Sequence, residues 1–166
     1  MMQRMTPLLP LTLIILAGVV VGPASGAAGP RQPDFSRYRV DARFSGTPAP
    51  PDLKSGKDAR RFRTVLREGA RSGPNFAGHF TVVTWGCGTM CQSHAIVDAH
   101  SGRVTMISFP SAYGIEYRLE SRLLVFDPSD ECLPAGTIGP ETSEWYEWAG
   151  GKLRKVDSVR IVSPCE

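Results

Sequence analysis

The residues best equipped for chemistry fall between Gly78 and Asp98, in the run Gly78-His79-Phe80-Thr81-Val82-Val83-Thr84-Trp85-Gly86-Cys87-Gly88-Thr89-Met90-Cys91-Gln92-Ser93-His94-Ala95-Ile96-Val97-Asp98. Two imidazoles, two thiols and a carboxylate within so short a span admit several chemistries. Cys91 beside His94 would make a thiol nucleophile with its base, provided the thiol is free. Met90, Cys91, His94 and His79 would suit a soft metal, again only with a reduced cysteine and without an established ligand spacing. Redox exchange more often uses Cys-x-x-Cys, whereas Cys87 and Cys91 are separated by three residues. His79 oriented by Asp98 would make a tuned imidazole, with His94 as a second candidate base for a small hydrolase. None of these sets is complete enough to require a metal or a cofactor.

The reading favoured over a hydrolase is a non-enzymatic binding or inhibitory module. Four cysteines, Cys87, Cys91, Cys132 and Cys165, suit two disulfides in an exported chain. Of the three possible pairings, we favour Cys87–Cys91, whose short loop contains Gly88, and Cys132–Cys165, which would tie the C-terminal end to the body. A loop clamped by Cys87–Cys91 loses little entropy on association, and Trp is a frequent interface anchor. Trp85, Gly86, Gly88, Thr89 and Met90 are therefore the candidate binding residues, for an envelope or extracellular protein partner.

Export is expected from the N-terminus. Arg4 precedes an apolar run from Leu8 to Val21, followed by the small residues Ala24-Ser25-Gly26-Ala27-Ala28, which is the pattern of a secretory signal peptide over residues 1–27. The run contains Pro10 and is shorter than the roughly 20 apolar residues of a spanning helix, so no membrane association is expected after cleavage. Residues 28–36 read as a flexible segment and 37–166 as one disulfide-bonded domain, located in the periplasm or outside the cell. Nineteen Lys and Arg against sixteen Asp and Glu leave too little net charge for a nucleic-acid binder without a recognisable motif. The charge is unevenly spread: bases dominate from Arg31 to Arg71, and acids from Gly73 onward.

The elements that must position these residues follow from pattern. Tyr38 to Phe44 alternates as an edge strand, and Pro48-Ala49-Pro50-Pro51 marks an extended connection. A helix is expected over 56–71, capped by Ser55 and Asp58. Its apolar stripe is Ala59, Phe62, Val65, Leu66 and Ala70, with Arg60, Arg61, Arg63, Arg67 and Arg71 outside. Strands are expected near 77–84, 92–98, 103–109, 121–126, 143–148 and 153–162, with a hairpin turn at Gly150-Gly151. The last strand alternates imperfectly, since Val156 opposes the face of Leu153 and Val159. The fold class is α+β: one antiparallel meander of five or six strands covered by one amphipathic helix. Matching Phe80 and Val82 with Val97 and Ala95 on one buried face sets His79 opposite Asp98 and Val83 opposite His94.

Gly73-Pro74-Asn75-Phe76-Ala77-Gly78-His79, then Trp85-Gly86-Cys87-Gly88-Thr89-x-Cys91, Ile96-Val97-Asp98 and Ser101-Gly102, resembles a group of small exported bacterial proteins that carry no assigned activity. The resemblance spans 73–102, with a further match at Ser121-Arg122-Leu123-Leu124. It implies a bacterial periplasmic or secreted protein and no particular catalytic residue.

Overall fold

The computed structural model describes residues 31–128 and 139–161. The expected signal peptide, Cys132 and Cys165 lie outside the described residues. Among the described residues one α-helix, α1 (Arg63–Arg71), precedes seven strands: β1 (Phe80–Gly88), β2 (Cys91–Asp98), β3 (Val104–Met106), β4 (Ile115–Tyr117), β5 (Leu123–Phe126), β6 (Thr142–Ala149) and β7 (Lys152–Arg160). The class is mixed α and β, but the strands do not form one meander. They form two antiparallel sheets, in the orders β1-β2-β3 and β4-β5-β6-β7.

The reason lies in the middle strands. Val83, Ala95, Val97 and Val104 of the first sheet pack under Leu66 and Ala70 of α1, together with Ala59. Val82 and Ile96 point the other way and join Phe76 against Leu124, Phe126 and Trp148 of the second sheet. Both faces of β1 and β2 are apolar, so a nine-residue helix covers only one of them and a second sheet covers the other. The second sheet is itself buried on both faces. Leu123, Val125 and Trp145 pack against Phe35, with Tyr38, Val156 and Val159 at the edge of the cluster. The order of layers is therefore helix, sheet, sheet, N-terminal segment.

That N-terminal segment is not an edge strand. Phe35–Tyr38 is a 3-10 turn whose Asp34 side chain accepts from Ser36 N, and Phe35 is buried. Beyond it the contact with the body is an isolated bridge of Arg39 with Ser121, made by Val40 N to Glu120 O at 2.8 Å and Arg122 N to Tyr38 O at 2.9 Å, then an Arg43–Glu120 ion pair and a bond from Phe44 N to Gly78 O at 2.8 Å. Gly78 has φ +80, and a β-carbon there would lie 2.1 Å from Ala42 O, so a side chain would push this strap away.

The helix starts later than its pattern suggests. Asp58 has φ +63, which a continuous right-handed helix excludes. Ser55 does not cap: its Oγ donates to Asp52 O at 2.7 Å and accepts from Val104 N at 2.8 Å, tying the approach segment to β3. The irregular alternation of β7 also has a local cause. The register of β6 on β7 shifts between Trp145 and Tyr146, which pair with Asp157 and Lys155. The extra residue, Val156, is a bulge. Leu153 thereby faces the first sheet, while Val156 and Val159 face Phe35.

Gly69 is where α1 comes closest to β1. A β-carbon at this position would lie 2.6 Å from a Val83 methyl. Gly69→Ala should gain about 1 kcal/mol of helix propensity and lose about 1–3 kcal/mol to overpacking. We expect net destabilisation of about 1 kcal/mol in urea denaturation, relieved when Val83→Ala is added. A stabilised single variant would contradict this helix-to-sheet approach.

Candidate functional site

The β1–β2 hairpin carries the residues that the sequence singles out for chemistry, except His79, which immediately precedes β1. Its turn is Thr89-Met90, with Gly88 at φ +147 and Met90 at φ +51. The register shifts between Gly86, which pairs with Gln92, and Gly88, which pairs with Cys91. Cys87 is thus bulged, and it forms a disulfide with Cys91 on the facing strand. Gly86, Cys87, Gly88, Thr89 and Met90 are all exposed. Met90, at 41 % exposure, is the exposed large hydrophobic residue among those described.

Trp85 is not part of the free tip. It is half-buried and packs with the cluster under α1, its ring 4.8 Å from that of Phe62 and tilted by 38°. The Arg61 guanidinium lies 5.5 Å above the Phe62 ring, within cation–π range. Arg60, Arg61 and Arg63 are exposed. Among the described residues none of them has an ion-pair partner. The tip therefore continues into an aromatic pair with arginines beside it.

The strand register differs by one residue from the sequence expectation. Phe80 pairs with Asp98, Thr84 with His94 and Val83 with Ala95. His79 lies outside β1, and its carbonyl accepts from Ala99 N at 2.9 Å, so His79 does not face Asp98. The expectation assumed one buried face, but both are buried; the bulge and the two-residue turn set the register instead. Asp98 is engaged by its own turn. Its Oδ1 accepts from His100 N at 2.9 Å and its Oδ2 from Ser101 Oγ at 2.8 Å. Burial would raise the Asp98 carboxyl, but these two hydrogen bonds and the imidazoles of His79 and His100 outweigh it and hold it below the usual value. Burial lowers His79, opposed by Asp98 and assisted by His100. The rings of His79 and His100 are 4.9 Å apart, and His100 also meets Phe44 at 4.9 Å.

His94 is sealed between the sheets. It is 0 % exposed, with Phe126 edge-on at 5.7 Å. Its Nδ1 is 2.9 Å from Thr84 Oγ1 and its Nε2 is 2.8 Å from Ser111 Oγ. A neutral imidazole donates from one nitrogen and accepts at the other, and each hydroxyl can take either role. The Ser111–His94 spacing is that of a nucleophile and its base, yet Ser111 is 2 % exposed and has no access to a substrate. Sequence reasoning missed Ser111, Thr84 and Phe62 as neighbours of this region. Ser111 follows Pro110 in a connection without a pattern, and only its backbone pairing with Gln92 brings it to the hairpin. Among the described residues, no group of three or more His, Cys, Asp or Glu could hold a metal ion.

Comparison with protein families, curated proteins and solved structures finds no match for the chain.

Burial pushes the His94 imidazole down to about 4 from its usual 6.5. The unfolded chain therefore binds a proton below about pH 6.5 that the folded chain refuses until about pH 4. Stability should fall as pH falls through that window, at about 1.4 kcal/mol per pH unit, or of order 3 kcal/mol in all. His94→Gln, which does not titrate, should flatten this part of the stability profile measured by urea denaturation. Identical slopes in the two proteins would overturn the assignment of a neutral, buried His94.

Proposed function

We propose that this chain is a non-enzymatic binding module, exported to an oxidising compartment of the cell envelope or its surroundings, whose recognition element is the Gly86–Met90 hairpin tip. One observation carries the reading: the disulfide closes a tip that is exposed at every residue and ends on Met90. A tip fixed in this way loses little conformational entropy when a partner covers it. A flexible thioether is also an adaptable contact for a protein surface. Phe62 and Trp85 form the base of the tip, and Arg61 extends it. Together they supply the aromatic and arginine composition typical of interface anchors. Arg60, Arg61 and Arg63, without an ion-pair partner among the described residues, favour a partner with an acidic patch beside its contact for Met90.

Export is supported by the Leu8–Val21 leader and is consistent with a disulfide at an exposed position, where a cytosolic thiol pool would reduce it. The hydrolase alternative has less to draw on. His94 is enclosed, and the hydrogen bonds of Asp98 go to its own turn, so among the described residues Asp98 acts on His79 through its charge and not through a hydrogen bond that would orient the ring.

A photo-crosslinking residue at position 90 should give a discrete adduct in the exported fraction of the native host, whereas one at exposed Lys57 should not. Unlabelled wild-type protein should compete for that adduct. Met90→Asp should need at least about tenfold more protein to do so, with its thermal stability within about 0.5 kcal/mol of wild type. Equal competition by Met90→Asp, or reproducible turnover abolished by His79→Ala, would refute the reading.

A further inference from the structure

A second site lies at the other end of the first sheet, away from the cysteine tip. Where the β6–β7 turn overhangs β1 to β3, the two sheets leave a cavity of about 440 Å³. Its floor is Phe80 from β1, Ile96 from β2 and Trp148 from β6, with the Phe80 and Trp148 rings edge-on at 5.4 Å. Its rim carries Arg103, just before β3, and Lys152, at the start of β7. Three apolar side chains at the floor meet the polar or charged Asp98, Arg103, Thr105 and Lys152 around them, and the volume lies within the range of small-molecule sites.

Charge identifies the ligand class. Arg103 and Lys152 are exposed and have no ion-pair partner among the described residues. The one carboxylate in the lining, Asp98, is already satisfied by His100 N and Ser101 Oγ in its own turn. Asp98 keeps its negative charge, so the lining carries two cations against one carboxylate, a net positive charge above the rings of Phe80 and Trp148. A guanidinium and an ammonium at the mouth favour one anionic group, held by charge-assisted hydrogen bonds. Edge-on aromatic walls favour a flat ring behind it. We propose that this inter-sheet cleft binds a small ring-bearing organic anion, ring inward against Phe80 and Trp148 and carboxylate outward between Arg103 and Lys152.

The probe is 2-naphthoate, with 2-naphthamide as its neutral counterpart, titrated into the disulfide-intact protein and followed by amide resonances. Naphthoate should shift Thr105, Gly150 and Gly151, which line the cleft, and leave Met90 at the opposite tip unmoved. The amide should bind at least tenfold more weakly. The double variant Arg103→Gln/Lys152→Gln changes only exposed side chains and should weaken naphthoate at least tenfold. Thr105→Trp, which fills the cleft, should abolish the shifts. The proposal is overturned if naphthoate leaves the cleft resonances unmoved, if naphthamide binds equally well, or if the double variant binds as tightly as wild type. These outcomes are independent of whether the Met90 tip captures a partner.

Discussion

Burial of β1 and β2 on both faces is the constraint from which the rest of the structure follows. Val83, Ala95 and Val97 need cover on one side, Val82 and Ile96 on the other. The helix supplies the first and the second sheet supplies the other. The second sheet then has an outer face of its own, closed by Phe35 and its neighbours. The connection between the sheets is pinned to match. Ser111 bonds His94 and exchanges backbone bonds with Gln92, while Asp127 Oδ1 accepts from Ala112 N and Tyr113 N at 2.7 Å each. His94 is consequently a polar bracket inside an otherwise apolar interface. A buried polar group of this kind costs stability unless fully partnered, and both of its nitrogens are.

The parts of the fold that were legible in the sequence are those with a single local cause. The amphipathic stripe of Leu66 and Ala70 places α1, although Asp58 at positive φ takes one turn or more from its start. The strand patterns around Ile96, Leu124 and Trp145 and the Gly150-Gly151 turn place four of the seven described strands closely; β1 starts three residues later than expected and runs on to Gly88, and β3 is shorter than expected. The three-residue β4 carries too short a pattern to be read. The number of sheets depended on noticing that Ala95-Ile96-Val97 and Leu123-Leu124-Val125-Phe126 are continuous apolar runs, the mark of strands buried on both faces. Treating them as strands buried on one face yields a single sheet and, by the same error, a register displaced by one residue.

The sites show the same division. Cys87 paired with Cys91 and the exposed tip follow from residues close in sequence. The placing of His79 one residue away from the partner of Asp98, and the enclosure of His94, depend on register and on Ser111, which sequence proximity does not supply. The cleft between the sheets is less legible still. Phe80, Arg103 and Lys152 come from three separate strands or their approaches, and no spacing along the chain announces that they share a wall. Only the packing of one sheet on the other creates it.

The bulge at Val156 bears on how the molecule meets its own copies. Among the described residues β7 is an edge of the four-stranded sheet, with unpaired backbone groups along its outer side. A straight, uncharged edge would template further strands and seed aggregation. Here the extra residue kinks the ladder, and charged side chains line the strand: Lys152 and Arg160, Arg154 and Lys155 paired with Glu147 and Glu144 of β6, and Asp157. A second chain approaching in register would meet a bent strand fringed with charge, the two devices by which an exposed edge discourages further pairing.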